Sequence, residues 1–162
     1  MKFKQFYKLF FAIIICQLVG FAGSFFTMQS VNGWYKHLEA PNIAPPNWIF
    51  GPVWTILFVL MGVALYFVLT KHVFFKKKKK YIRLAVLVFY LQLAANLLWS
   101  TIFFGLRNPG LAFAEILLLW VLILVTIIYF YKIDKRAAYL MIPYIVWVSL
   151  AAILNYSFWL LN

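Results

Sequence analysis

The chain has 162 residues, of which 67% are hydrophobic and 11% charged, with a formal net charge of +12. Soluble domains average about 45–50% apolar and about 25% charged residues, and small proteins bury only about two-thirds of their chain surface on folding. The composition therefore excludes a soluble enzyme, and an aromatic content of 22% excludes an intrinsically disordered chain.

Five long stretches of the sequence are apolar and almost free of charge. Each is long enough for a helix to cross a hydrocarbon core roughly 30 Å thick, which takes about 20 residues. None alternates polar and apolar residues as a strand of a membrane barrel would. The sequence predicts an all-α integral membrane protein with one domain, 1–162. Its five transmembrane helices form a single bundle and lie at about 9–28, 47–70, 83–105, 109–131 and 137–160.

The basic residues are concentrated on one side of the predicted bundle. Only Lys36 and Arg107 fall on the other side. This asymmetry predicts a cytoplasmic N-terminus and an external C-terminus. The run 76–80 is interpreted as a topology anchor against anionic lipid headgroups. No nucleic-acid partner is expected, because no aromatic–basic interleaving accompanies the lysines.

The first helix carries Cys16, Gly20 and Ser24 at a spacing of four, which is typical of close helix packing. Its connection to the second helix, 29–48, is too long for a simple turn between helices. Trp34 and Trp48 favour an ordered segment at the membrane–water boundary. We expect this external loop to fold over the mouth of the bundle as a lid.

The second and third helices each present one stripe of related side chains. Polar amides at mid-membrane depth need partners because lipid offers none, so those of helix 3 either link helices or line a cavity. The stripe of helix 2 is typical of packing. It comprises Trp54, Phe58, Met61 and Leu65, and that of helix 3 comprises Gln92, Asn96, Trp99, Ser100 and Phe103.

Helix 4 begins at the turn signal 108–110 and carries Glu115 less than two turns inside. A carboxyl group within the membrane indicates a functional site. The structural alternatives are a hydrogen bond donated by the protonated carboxyl group, or a pair with Arg107.

Helix 5 places Trp147, Ala151 and Asn155 on one face, with Tyr144 to the side. Helices 2, 3 and 5 thus each offer an indole with small or polar neighbours. This arrangement predicts a pocket for a flat aromatic ligand, closed by the loop.

The residues of conventional catalysis are scarce. His37 and His72 belong to opposite sides of the membrane, so no metal site is expected. No hydrolase triad, carboxylate pair or phosphate-binding glycine loop is present. The protein therefore either binds or transports a ligand, or the ligand itself supplies the chemistry.

Three blocks of sequence resemble the TspO/MBR family, the tryptophan-rich sensory proteins related to the mitochondrial translocator protein. The first block is Trp34-Tyr35-x-x-Leu38-x-x-Pro41 with Pro45-Pro46-x-Trp48-x-Phe50-Gly51-Pro52-Val53-Trp54-Thr55-x-Leu57. The second is Asn96-x-x-Trp99-Ser100-x-x-Phe103-Phe104-Gly105, and the third is Pro143-Tyr144-x-x-Trp147-x-x-x-Ala151-x-x-Leu154-Asn155.

The resemblance implies a membrane receptor or transport protein of the bacterial cytoplasmic membrane that binds protoporphyrin IX and haem. It also implies binding of isoquinoline carboxamide and benzodiazepine-type ligands, without a required cofactor. A homodimer is left open. Stripes and resemblance together give the candidate ligand-binding residues. They are Trp34, Trp54, Phe58, Gln92, Asn96, Trp99, Ser100, Phe103, Glu115, Tyr144, Trp147 and Ala151.

Two alternatives to simple binding stay open. Some members of the family degrade protoporphyrin in light, and the tryptophans implicated correspond to Trp54 and Trp147, which would then be catalytic. A proton-coupled exporter that uses Glu115 is the weaker alternative. Sterol binding is not carried over, because no basic residue follows Tyr156, as the sterol motif of animal members requires.

Overall fold

The structure is a computed structural model that describes residues 3–71 and 79–162. Its five long helices are each long and apolar enough to cross a membrane, which confirms the predicted fold class. Most of the lysine run 76–80, interpreted above as an anchor, lies outside the described residues. The helices are α1 Phe3–Val31, α2 Asn47–Lys71, α3 Lys79–Ser100, α4 Pro109–Ile133 and α5 Lys135–Leu161.

Local sequence signals explain where the last two helices begin. The side chain of Asn108 accepts a hydrogen bond from the backbone N–H of Leu111, and Pro109 occupies the first turn of α4. Asp134 caps α5 in the same way, accepting from the backbone N–H of Arg136 at 3.0 Å. These caps satisfy backbone donors that a helix start leaves without partners.

Neighbouring helices pack in the order α1, α2, α5, α4 and α3, and α3 packs against α1 again, so the five form a ring. The first helix packs along α2 and α3, whereas α4 packs along α3 and α5. Met61, Phe89 and Met141 are fully buried, and the rings of Phe89 and Phe130 stack with centroids 5.7 Å apart. Many large apolar side chains, such as Phe21 and Val146, remain exposed on the outer surface. An apolar outer surface of this kind suits a bundle surrounded by lipid.

The connection between α1 and α2 is ordered and contacts the ends of α3 and α5. It contains a short 3₁₀ helix, Trp34–His37, followed by a turn in which the N–H of Ala44 donates to the carbonyl of Pro41. The side chain of Asn162 bonds both the N–H and the carbonyl of Glu39, at 2.9 and 3.2 Å. We call this end of the bundle the loop end; its external location and its role as a lid stay predictions.

Candidate functional site

A cavity of about 500 Å³ lies in the half of the bundle next to the loop end, between α1, α2, α3 and α5. Its volume is in the range of small-molecule sites, which runs from about 300 to 1,000 Å³. Most of its wall is apolar, and nine aromatic side chains from the loop and from all four helices or their ends contribute to it. They are Phe21, Tyr35, Phe50, Trp54, Phe58, Trp99, Phe103, Phe104 and Phe158.

Rings on neighbouring turns of α2 and α3 pack against each other and form flat surfaces. Trp54 stacks on Phe58 with centroids 5.7 Å apart, and Trp99 stacks on Phe103 with centroids 5.4 Å apart. Such contacts fix the orientation of the rings in the cavity wall. A flat apolar ligand is therefore offered broad ring surfaces from two helices.

One turn of π-helix, Thr101–Gly105, continues α3 and widens its last turn. The N–H of Leu106 donates to the carbonyl of Thr101 at 2.9 Å, five residues earlier. Consecutive residues of an α-helix point about 100° apart, yet Phe103 and Phe104 both line the cavity here. Single π-turns of this kind are frequent at functional sites in helical proteins.

The amides of the cavity wall link helices as well as line the cavity. The Nδ2 of Asn96 donates to the hydroxyl of Tyr144 at 3.0 Å, which joins α3 to α5. The indole N–H of Trp99 donates to Oδ1 of Asn155, whose Nδ2 donates to the carbonyl of Pro109 at 2.7 Å. This chain of bonds holds α3, α5 and the start of α4 together around one side of the cavity.

The wall contributed by α1 was not among the sequence-predicted site residues. Gly20, Gly23, Ser24 and Thr27 all line the cavity. Gly20, which was predicted to pack closely, does so, and so does Gly23, which was not part of the predicted stripe. A Cβ atom on Gly20 would overlap the ring of Phe58, and one on Gly23 would lie 3.2 Å from Oγ of Ser100. The sequence feature that could have indicated this wall is the stripe of small residues on α1, because Gly20 and Ser24 of that stripe line the cavity.

Seven of the twelve candidate residues come together in the cavity wall. Trp34 is not among them but lies nearby, with its ring in edge contact with Phe103 at 6.0 Å. Tyr35, its neighbour in sequence, lines the cavity instead, and burial raises the pKa of its hydroxyl above the ordinary value. The seven are Trp54, Phe58, Asn96, Trp99, Ser100, Phe103 and Ala151.

Three further candidates are packed inside the bundle beside or beneath the cavity and do not line it. Gln92 is fully buried, with Nε2 3.9 Å from Sδ of Met61 and with no partner for Oε1 among the described residues. Tyr144 is fully buried and reaches the site through its bond from Asn96. Trp147 packs against Phe50, a cavity residue, with ring centroids 5.6 Å apart.

Glu115 lies on α4, which contributes none of the described residues to the cavity wall. Its side chain is 7% exposed, and neither carboxyl oxygen has a hydrogen-bond partner in the part of the chain that the structure describes. Within those same residues no ion pair with Arg107 forms. The two structural alternatives considered for Glu115 are thus both absent from the described contacts.

Comparison with known proteins agrees with this arrangement. The sequence model of the TspO/MBR family matches residues 12–160. The chain is similar to the tryptophan-rich protein TspO of Archaeoglobus fulgidus, at 41% identity over 96% of this chain and 97% of that protein. It is similar to the protein of the same name from Chlorobaculum tepidum, at 42% identity over 98% of each. It is also similar to the human translocator protein, at 36% identity over 86% of this chain and 80% of that one.

Proposed function

The chain belongs to the TspO/MBR family of membrane proteins, and from this premise we propose that it is a receptor or carrier for tetrapyrroles. Protoporphyrin IX and haem are the proposed ligands, and the cavity at the loop end is the proposed site. The protein needs no cofactor of its own for this function, because the tetrapyrrole is its ligand.

The observation that carries the proposal is the aromatic wall of the cavity. A tetrapyrrole is a broad, flat and largely apolar ring system, and such molecules gain most from stacking on aromatic faces. Trp54 and Phe58 on one helix, and Trp99 and Phe103 on another, supply those faces. Two buried amides, Asn96 and Asn155, line the cavity, and the oxygen and nitrogen of Asn155 are both hydrogen-bonded within the protein. Asn96 is therefore the buried amide that we propose to orient a bound ring.

The same cavity supports wider proposals that follow from the family. Isoquinoline carboxamide and benzodiazepine-type ligands are also flat and aromatic, so we expect them to compete with protoporphyrin. We place the protein in the cytoplasmic membrane of a bacterium, and a homodimer is an expectation from the family only.

A titration in the dark tests the proposed function. Purified protein in detergent is titrated with protoporphyrin IX, with empty micelles as the blank. Trp54→Ala is expected to weaken binding about tenfold, because an aromatic contact is worth up to about 1.5 kcal/mol beyond its buried area. Trp48→Ala is the matched control, since Trp48 lies on the same helix but is 74% exposed and does not line the cavity.

Two results would contradict the proposal. Absorbance changes that never saturate above the micelle blank would show that the protein has no porphyrin site. Equal weakening in Trp54→Ala and Trp48→Ala would place the binding outside the cavity.

A second candidate function is light-dependent degradation of bound protoporphyrin. It is favoured by Trp54, whose indole lines the cavity, and by the contact of Trp147 with the cavity residue Phe50. Trp147 would then act through Phe50, as an electron donor to the light-excited porphyrin that does not touch it, and dissolved dioxygen would be the oxidant that the degradation consumes. A product that forms only with light and protein, and is lost in Trp147→Phe although dark binding survives, is the expected result. Bleaching equal to that in empty micelles would exclude this function.

A further inference from the structure

The faces of α1 and α2 that point toward each other are in close contact in the half of the bundle away from the loop. A Cβ atom on Gly62 would lie 2.5 Å from Cα of Ile13, so the two backbones touch there. Nearer the loop end, Nε2 of Gln17 donates to the carbonyl of Thr55 at 2.9 Å. These contacts hold the two helices together up to the level of Gln17.

Beyond that hydrogen bond the ring of Phe58 still packs against Gly20, and nearer the loop residues of both helices line the cavity. Ser24 lies seven residues after Gln17 on α1, and Gly51 lies one turn before Thr55 on α2; both line the cavity. A Cβ atom on Gly51 would meet no neighbouring atom within 4 Å. The cavity therefore opens sideways between α1 and α2. We call this opening the side mouth; its rim consists of Gln17, Phe21 and Ser24 of α1 and Gly51 and Thr55 of α2.

The side mouth lies within the membrane spans of both helices. The hydroxyls on and near its rim bond to their own helices. Ser24 Oγ donates to the carbonyl of Phe21 at 2.7 Å, and Thr55 Oγ1 donates to that of Gly51 at 2.9 Å. With its hydroxyls satisfied, the rim presents little that favours water. Phe21 beside it is 76% exposed, as suits a surface in contact with lipid.

Aromatic packing covers the cavity on the side of the loop. The ring of Tyr35 lies 5.3 Å from that of Phe158 and 5.6 Å from that of Phe104, centroid to centroid. Trp34 and Leu38 pack against the same group of side chains. Aromatic contacts thus cover the part of the loop end that faces α3 and α5, whereas exposed residues of α1 and α2 line the side mouth.

We infer that ligand enters and leaves the cavity through the side mouth, directly from the lipid, so that this protein takes membrane-dissolved, flat, apolar molecules. The inference rests on the proposed function for the identity of the probe, protoporphyrin IX. It adds the route and the phase from which the ligand comes. A molecule confined to water by several charged groups reaches the cavity poorly by this route.

A kinetic comparison of two phenylalanine variants tests the route. Gly51→Phe fills the side mouth, and Ile56→Phe on the same helix is the control, since Ile56 is 59% exposed and does not line the cavity. In vesicles loaded with protoporphyrin IX, Gly51→Phe is expected to slow association by about tenfold relative to Ile56→Phe, because the ligand must pass the filled mouth whatever the variant does to Kd. An association rate in Gly51→Phe equal to that of wild type would overturn the inference.

A second measurement needs no ligand. Spin labels are attached to Gly51→Cys, Ile56→Cys and Glu39→Cys, each in a Cys16→Ala background in vesicles. Oxygen concentrates in lipid and a nickel chelate in water, so their relaxation effects separate the two phases. The label at 51 is expected to match the lipid-facing label at 56; a match with the loop label at 39 would overturn the side mouth.

The two measurements separate the route from the function. Lipid-like accessibility at 51 without saturable dark binding by the wild type would contradict the tetrapyrrole proposal and leave the side mouth standing. Saturable binding together with water-like accessibility of the label at 51 would contradict the side mouth and leave the tetrapyrrole proposal standing.

Discussion

Gln92 is a buried amide that the cavity does not use. Its Oε1 has no partner among the described residues, and its Nε2 has only the sulfur of Met61 at 3.9 Å. A buried carbonyl without a hydrogen bond costs about 1–3 kcal/mol. We therefore expect Gln92→Met, which keeps the length of the side chain, to raise the thermal denaturation midpoint in detergent while leaving dark protoporphyrin binding unchanged.

Asn96→Leu is the comparison for that variant, because Asn96 lies one turn nearer the loop, lines the cavity and bonds Tyr144. This variant is expected to lower both stability and affinity. If Gln92→Met instead weakened binding as much as Asn96→Leu does, Gln92 would belong to the ligand site after all.

The sequence did not reveal how far from the loop end the cavity extends along a helix. On α3, helical spacing correctly grouped Asn96, Trp99, Ser100 and Phe103, because residues three and four apart share a face. Gln92 shares that face but lies one turn, about 5.4 Å, further from the loop. Helical periodicity gives the direction of a side chain around the axis. It cannot give the level at which neighbouring helices part to form a cavity.

On α5 and α4 the sequence likewise did not show which side chains reach the cavity. Tyr144 and Trp147 share α5 with Ala151 but do not line the cavity; Tyr144 accepts the hydrogen bond of Asn96, and Trp147 packs against Phe50. Glu115 was singled out for its charge alone, and a single intramembrane carboxyl group does not indicate which helices enclose the ligand. Its helix, α4, packs along α3 and α5.

At the scale of the helices, the connection between α4 and α5 holds the best-satisfied carboxylate in the described part of the chain. Asp134 accepts from Nε and Nη2 of Arg136 at 3.1 and 2.9 Å and caps α5, with Nζ of Lys71 at 3.9 Å. The side-chain hydrogen bonds from Arg136, above all, lower the pKa of Asp134 below its ordinary value.

A lowered pKa sets the sign of a pH dependence. A carboxyl group whose pKa is lower in the folded than in the unfolded state stabilises the fold above the unfolded pKa, and this contribution is lost as pH falls through the folded pKa. Asp134→Asn keeps a good cap for α5 but removes the charge. We expect this variant to have a lower denaturation midpoint than wild type at pH 7. The difference between the two midpoints is expected to become smaller as the pH falls.

Thermal denaturation in detergent across that pH range measures the effect, with Glu39→Gln as the control carboxylate at the loop end. A constant difference between wild type and Asp134→Asn at every pH would assign the effect to packing or capping and contradict the role given to charge.

The helices themselves were predictable because a membrane imposes a length and a polarity on each of them. The N-terminal signal of α4, at 108–110, located its first residue from sequence. The double role of α1, in helix packing and in the cavity wall, was harder to predict from the sequence. Gly20 and Ser24 predicted close packing, and Gly20 does pack on Phe58, but the same face also forms the cavity wall. A small-residue stripe alone does not distinguish contact with a helix from contact with a ligand.

At the scale of the whole molecule, the bundle divides into a packed half and an open half. Phe89, Phe130 and Met141 fill the half near the α4–α5 connection, without exposed surface. The loop half replaces such packing with the cavity. Asn155 accepts a hydrogen bond from Trp99 and donates one to the carbonyl of Pro109, and Asn162 accepts one from the N–H of Glu39, so these bonds tie the helices and the loop together. These hydrogen bonds fix side chains of the cavity wall, and a fixed wall reduces the entropic cost of binding.

The charge distribution is the property of the whole chain that assigns these two halves to sides of the membrane. Five spans place the two ends of the chain on opposite sides, and Lys132, Lys135 and Arg136 lie together at the end opposite the loop. Excess Lys and Arg in short loops marks the cytoplasmic side. The loop end, which has Lys36 and Arg107, is therefore predicted to face outward.

Labelling of single cysteines in intact cells checks this orientation. In a Cys16→Ala background, Lys36→Cys and Lys135→Cys are both on exposed side chains, so each can react wherever the reagent is present. A membrane-impermeant maleimide is expected to label Lys36→Cys in intact cells and Lys135→Cys only after the cells are opened. The reverse order would place the loop in the cytoplasm. The side mouth would still face lipid in that orientation, because its rim belongs to the spans, and only the leaflet from which the ligand enters would change.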